Sequence, residues 1–468
     1  MGNGKIKVKD LKSINYINDQ SRSLAINIMT RHFKNIPKEE KLGILRKIKD
    51  NPSAYLEDEF LAPLALSFTE RVELRTYEEF ELVQSEGLLN VFGNKLIEQG
   101  AIRQMELAMQ LPVSIQGALM PDAHHGYGLP IGGVLATRNA VIPYGVGLDI
   151  GCRMSLVICN AGTDYLKRHE YQLKKALKDY THFGIEGHLE FSQEHEVLDR
   201  AEFQETALLR KLHPKAVKQL GSSGSGNHFV EFGIVEMYED NAFSIPAGNY
   251  LGILAHSGSR GMGALVAQHY AQLAMKHCKL PKQAQHLAWF DLNSEPGQEY
   301  WRAMNLAGDY ARACHDRIRI NLTRALDLDV IGTIGNHHNF AWSETNEDGG
   351  STIIHRKGAT PAALREPGII PGNMMDPGYI VTGKGEKAAL CSASHGSGRR
   401  LSRSQARETI TNSSLRKMLS GRGIALIGGS PEESPLAYKD IDDVMNSQKM
   451  LVKTEGKFYP RIVRMNKE

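Results

Sequence analysis

Residues 391–403 read CSASHGSGRRLSR. One histidine, His395, stands among small residues, and three arginines, Arg399, Arg400 and Arg403, follow it. A histidine in such a loop can serve as a metal ligand, a general base or a nucleophile, or can simply fill a turn. Other loops carry residues of the same kind. YGVGLDIGCRM holds Asp149 and Cys152, a carboxylate and a thiol three apart in a glycine-rich turn. GSSGSGNHFVEF holds Asn227, His228 and Glu231, and its Gly-Ser run exposes backbone N–H groups suited to phosphate. LAHSGSRGMG places His256 at the end of an apolar run with Arg260 behind it, and GNHHNFAW places His337 and His338 before Asn339. Taken singly, each has a plainer reading: an Asp capping a turn, a buried Cys, a satisfied structural His. As a set, imidazoles with a thiol and a carboxylate suit one or two transition-metal ions. A two-metal site suits phosphoryl chemistry, where attacking and leaving oxygens both need charge stabilisation. Arginines in the same kind of loop, Arg153, Arg260, Arg356, Arg399, Arg400 and Arg403, add forks that match phosphate. Neither a P-loop nor a strand-linked dinucleotide fingerprint is present.

The elements that must position these loops read as follows. Residues 1–90 are plain and helical, with apolar residues at helical spacing in SLAINIMTRHF and KEEKLGILRKIKD, and no catalytic pattern. Residues 91–468 alternate glycine-rich loops with short apolar runs such as GGVLAT, MSLVIC, HFVEFGIV and YLGILAHSG. Helical stretches lie between them, the longest being GQEYWRAMNLAGDYARACHDRIRINLTRALD. Strands and helices are interspersed, so the expected class is α+β, one large catalytic domain behind a helical N-terminal extension. The 468 residues are 41% hydrophobic and 23% charged, ordinary for a globular chain. Net charge is only +3, so a surface for nucleic acid must be a local patch. No apolar run approaches bilayer length, the opening MGNGKIKVKDLK lacks a signal-peptide core, and Ile6 does not fit the myristoylation pattern. Five scattered cysteines argue against a disulfide framework and for the cytoplasm.

Taken in order, MPDAHHGYGLPIGG, GVGLDIGC, GSGNHFVEF, HSGSRG, HHN, HRKGAT, PGNM and SHGSGR resemble the RtcB family of RNA ligases over roughly residues 93–467. The resemblance implies an enzyme that joins RNA ends bearing a 2′,3′-cyclic phosphate or 3′-phosphate to a 5′-hydroxyl, using GTP and two Mn²⁺ ions through a guanylylated histidine. It makes His395 the nucleophile and Asp149, Cys152, His228, His256 and His338 the Mn²⁺ ligands. His338 is chosen over His337 because the family's ligand directly precedes Asn. Asn227, His228, Phe229, Val230, Glu231, His338 and Asn339 would hold the nucleotide, Glu231 at the guanine edge. Pro371, Gly372, Asn373, Met374 and Gly378 would line the same pocket with Gly396, Ser397 and Gly398, whose smallness would leave room for phosphate. Asp122 would orient the metal shell. Two positions depart from the family. Gly378 stands where a Ser is usual, and Lys467 only approximates a C-terminal guanine-contacting Lys. Partners implied are RNA and an activating protein such as archease, in splicing or repair. The readings that compete are a binuclear metal-dependent phosphoesterase, which has no use for a nucleophilic His, and a silent RNA-binding protein, which does not need the ligand set.

Overall fold

The computed structural model describes residues 6–14, 16, 19–68, 77–85, 87–184, 187–345 and 351–466. The chain divides into two compact units, Met1–Tyr77 and Glu78–Glu468. The smaller unit is helical, with helices Val8–Ser13, Asp19–Arg31, Lys38–Asp50 and Ala62–Leu66. Leu11, Met29, Leu45, Ile48 and Leu64 fill its core, and the Tyr16 hydroxyl donates to the Leu45 carbonyl at 2.6 Å. The boundary falls at 77 rather than the expected 90. Glu78–Glu79 pairs in parallel with Cys278–Lys279, and Leu89–Val91 with Ser114–His124, so backbone pairing binds both segments to the larger unit.

The larger unit is α+β. Its main sheet runs Val330–His337, Arg153–Cys159, Gly248–Ser257, Phe229–Met237, Val452–Met465, Gly378–Gly383, Pro367–Ile370, with Ala425–Ile427 beside Val452–Met465. Alternation along the strands builds two cores. Met154, Leu156 and Ile158 face one way, with Leu254, Ile334, Ile369, Ile380 and Phe458. Val157 and Cys159 face the other, with Val230, Phe232, Ile253 and Ala255, against Leu173 and Leu177 of helix Glu170–Tyr180 and Ile318 and Leu322 of helix Glu295–Ala325. The sheet curls until its edge strands meet. Buried Asn336 joins them, accepting from the Ile369 N–H at 2.9 Å and donating to the Ile369 carbonyl at 3.2 Å. A side-chain amide thus replaces one ladder step and leaves no open edge there.

A second sheet runs Asn339–Thr345, Ser351–Lys357, Ile131–Arg138, Ser114–His124, Leu89–Val91. Its ladder between Ser114–His124 and Ile131–Arg138 shifts register between Leu119 and His124. Such an irregularity re-aims side chains, and Asp122 lies within it. No helix among the described residues is long and apolar enough to cross a membrane.

Candidate active site

Three neighbouring strands deliver the ligand-type residues to one end of the curled sheet. Cys152 precedes Arg153–Cys159, His256 lies near the end of Gly248–Ser257, and His338 follows Val330–His337. All three share the parity of Met154, Leu254 and Ile334, so they continue the inward face. The Cys152 Sγ is 3.1 Å from His256 Nε2 and 3.4 Å from His228 Nε2. His256 Nε2 is 3.3 Å from His338 Nε2, and His228 Nε2 is 2.9 Å from Asp149 Oδ2. The ligand atoms of Cys152, His228 and His256 all lie within 4.8 Å of one another.

The donor chemistry fits a cation. The Nδ1 of His256 faces the Asn227 carbonyl at 3.1 Å, and a carbonyl only accepts, so Nδ1 carries the proton. Its Nε2 lone pair then points at a sulfur and at a second imidazole nitrogen. Burial, and then the neighbouring His228, hold the His256 imidazole well below its ordinary range, and burial followed by His395 does the same to His338. Burial, and then the Asp149 charge, push the Cys152 thiol well up. Burial alone would raise Asp149, but the charge and hydrogen bond of His228 outweigh it and hold the carboxyl below its usual value. Inward lone pairs with a half-buried carboxylate and a buried thiol make a site that a positive ion would relieve.

His395 stands beside this cluster, its ring centroid 5.0 Å from that of His338. A short pairing of Ala359–Pro361 with Ser392–Ser394 leads into it. Just upstream, Leu390 and Cys391 adopt left-handed backbone angles, φ 49° and 47°, unusual for residues with a Cβ. The buried Arg356 guanidinium holds that turn, donating to Ser392 Oγ at 2.7 Å and to the Leu390 carbonyl at 2.9 Å. Asp122 Oδ2 accepts from His395 Nδ1 at 2.7 Å and from its backbone N–H at 3.1 Å. Burial would raise Asp122, but the hydrogen bond and charge of His395 keep it below its ordinary value. Nδ1 is therefore the protonated nitrogen, and Nε2 has no hydrogen bond among the described residues.

A cavity of about 750 Å³ opens in front of His395, lined by Asn227, Phe229, Glu231, His256, Pro371, Gly372, Asn373, Met374, Gly378, Gly396, Ser397, Gly398 and Arg399 among others. Glu231 is buried on its wall without a side-chain hydrogen bond among the described residues, and burial pushes its carboxyl well above the usual range.

The profile of a family described as tRNA-splicing ligase RtcB matches residues 104–465. The chain belongs to the RtcB family. Among its relatives, an RNA-splicing ligase RtcB of Mycobacterium tuberculosis is 33% identical over 403 residues, 70% of this chain and 91% of that protein. An RNA-splicing ligase RtcB of Escherichia coli K12 is 30% identical over 387 residues, 76% and 91% of the two chains. A tRNA-splicing ligase RtcB of Thermococcus kodakarensis is 29% identical over 444 residues, 80% and 90% of the two.

In this RtcB-family chain the five expected ligands converge, and most of the expected nucleotide residues line one cavity. Four expectations change. The Val230 side chain turns to the opposite face, into the core with Val157 and Phe232, because it alternates with Phe229 and Glu231. Asn339 braces loops instead of lining the cavity: it donates to the Asp149 carbonyl at 3.3 Å and accepts from the Gly358 N–H at 2.8 Å. Asp122 grips His395, not a metal ligand. Gly398, at φ +70°, is small because a Cβ would sit 2.1 Å from the Asp122 carbonyl oxygen, so its smallness serves the Asp122–His395 joint. His337 leaves the cluster and stacks on Trp342, centroids 4.9 Å apart. Lys467 lies outside the described residues.

The arginines divide. Arg260 and Arg356 are buried props that hold Ser222 with Gly184, and the Leu390 turn. Arg399, Arg400 and Arg403 line the cavity. The sequence reading passed over what anchors Arg399 and Arg403, the buried acid Glu433 of the PEESP loop, beside a second buried acid, Glu432; Arg400 donates instead to the Leu436 carbonyl at 2.9 Å. Arg399 Nη1 is 3.3 Å from Glu433, and Arg407 is 3.0 Å from Glu432. Two adjacent acids between prolines look like a solvated turn, and only the run of nearby arginines hinted otherwise. Tyr127, exposed at the cavity mouth, was also passed over.

Proposed function

We propose that this chain is an RNA ligase that joins RNA 2′,3′-cyclic phosphate or 3′-phosphate ends to 5′-hydroxyl ends through GMP held on His395. The observation that carries the reading is the pair of fully buried Asp122 and half-buried His395, opening on the cavity. Asp122 fixes the tautomer, so the Nε2 lone pair is free to attack the α-phosphorus of GTP. The Nε2–P bond forms, the P–O bond to pyrophosphate breaks, and pyrophosphate leaves with the electron pair. His395 keeps its Nδ1 proton and becomes cationic, and the Asp122 carboxylate 2.7 Å away balances that charge.

Asp149, Cys152, His228, His256 and His338 would hold Mn²⁺, which when bound neutralises charge on phosphoryl oxygens. Glu231 would accept from the guanine N1–H and 2-amino group, and its buried position makes that pairing discriminating. Asn373 accepts from the Met375 and Asp376 N–H groups at 2.9 and 3.0 Å, which stiffens the cavity wall at residues 371–376. Incubation with radiolabelled GTP and Mn²⁺ tests the reading: an acid-labile, alkali-stable GMP adduct on His395 and joined RNA ends are expected. Hydrolysis of RNA ends without any adduct would favour the phosphoesterase reading instead.

A further inference from the structure

Two clefts away from the His395 cavity have no place in the reading above. One, of about 640 Å³, lies between the end of helix Glu170–Tyr180 and the tail of strand Val452–Met465. The other, of about 340 Å³, lies between that helix and helix Asn412–Gly421. They share Ile427 of the edge strand Ala425–Ile427, so they adjoin along that edge and are taken together as one channel. Met465 lines both the first cleft and the His395 cavity, so the channel backs onto one wall of that cavity.

The charge in the channel is of one sign. Lys174, Lys178, Arg416 and Arg464 line it, and no Asp or Glu does among the described residues. The whole chain carries only +3, so this is a local concentration. Lys178 and Arg416 are exposed and make no ion pair among the described residues. Lys174 is tied to Glu170 at 2.5 Å, on the helix outside the channel lining. Arg464 is fixed: it donates to the Leu177 carbonyl at 2.6 Å and lies 5.8 Å from the Phe183 ring centroid. Lys174 and Lys178 stand one helical turn apart, about 6 Å along the axis, so cations repeat along the channel wall. A one-sign groove with an aromatic in its wall suits the sugar–phosphate backbone of a single strand.

We propose that this channel carries the backbone of one RNA arm between the His395 cavity and the surface, with Lys178 and Arg416 contacting phosphates. The proposal rests on the RNA-ligase reading for its choice of ligand, and RNA binding is measured separately from ligation. Full-length parent, Lys178→Ala, Arg416→Ala and the double variant are titrated with a short and a long single-stranded RNA over a range of salt, and labelled with GTP. Each lost phosphate contact lowers the salt slope of single-strand binding by about 0.7, so the double variant is expected to fall by about 1.4 on the long RNA. Its affinity for long RNA drops several-fold, KM for long substrates rises with kcat unchanged, and binding of the short RNA and GMP labelling of His395 stay parental. Parental affinity and slope of the double variant on long RNA would overturn the proposal, as would polyglutamate competing as well as RNA. Failure of the ligase reading appears differently, as a parent that neither takes up GMP nor joins ends while the binding comparison still reports on the channel.

Discussion

Replacing Asp122 by Asn removes the buried charge of the Asp122–His395 pair and little else. Asp122 is fully buried, and its Oδ2 accepts two hydrogen bonds from His395, at 2.7 and 3.1 Å. An Asn oxygen can still accept from one of these donors, so the loop is expected to stay folded. The loss falls on the reaction, because positive charge develops on the imidazole only as Nε2 bonds to phosphorus. A hydrogen bond to a charged partner contributes about 1.5–3 kcal/mol. At about 1.4 kcal/mol per factor of ten, single-turnover GMP attachment slows by about 10- to 150-fold. The assay is the rate of labelling from radiolabelled GTP, with a thermal melt as the folding control. Extra Mn²⁺ is expected not to rescue the variant, since Asp122 touches the proposed nucleophile His395 and none of the proposed metal ligands. A folded Asp122→Asn protein labelled at the parental rate, or restored by Mn²⁺, would refute the assignment. The pair also links stability to pH. The Asp122 carboxyl is held below its ordinary 3.8 in the folded state, so its stabilisation is present above that value and is lost as pH falls through the lower folded value. Asp122→Asn is expected to lack that part of the acid unfolding limb, read by melts between pH 2 and 6.

Further outcomes are expected elsewhere in the chain. His395→Ala abolishes GMP attachment and ligation while its thermal melt stays near parental, and residual covalent GMP would place the nucleophile elsewhere. Mn²⁺ raises the parent's melting temperature, by about 2.7 kcal/mol of stability at a hundredfold excess over Kd, and raises that of Cys152→Ala less; equal shifts in differential scanning fluorimetry would remove Cys152 from the ligand set. Gly378→Ser sharpens preference for GTP over ATP in labelling competition by about 1–3 kcal/mol. A Cβ at 378 meets nothing closer than 3.4 Å, so the serine fits, and an unchanged GTP-to-ATP ratio would show that position 378 does not face the base. Asn336→Ala leaves the Ile369 N–H and carbonyl buried and unpaired, lowering stability by about 2–4 kcal/mol in urea unfolding.

Much of the site was legible in the sequence because its residues are chemically unusual where they stand. A histidine beside glycine and serine, or a D-x-x-C turn, has a plain structural reading by itself, and the signal came from several of them recurring in one chain. The order of the motifs carried Asp149, Cys152, His228, His256, His338 and His395 together, and the structure places all six at one end of the curled sheet. The α+β class followed from short apolar runs alternating with helical periodicity. Local pattern was weaker at boundaries. Residues 78–79 and 89–91 read as the end of a helical extension, yet they are strands, because their partners lie in distant segments.

What sequence could not provide was direction and proximity. Val230 and Glu231 are neighbours in one motif, but the strand period of two sends one into the core and the other into the cavity. Asp122 and His395 are 273 residues apart, and only a register shift around the first and a two-strand pairing leading into the second bring carboxylate and imidazole to 2.7 Å. The basic channel likewise draws on helices and a sheet edge far apart in the chain. Residue type sets which chemistry is available, since pKa, softness and donor count belong to the side chain. The fold decides which atoms meet and which are desolvated, and that turned His395 from a histidine in a small-residue loop into an imidazole held by Asp122 beside the His338 ring.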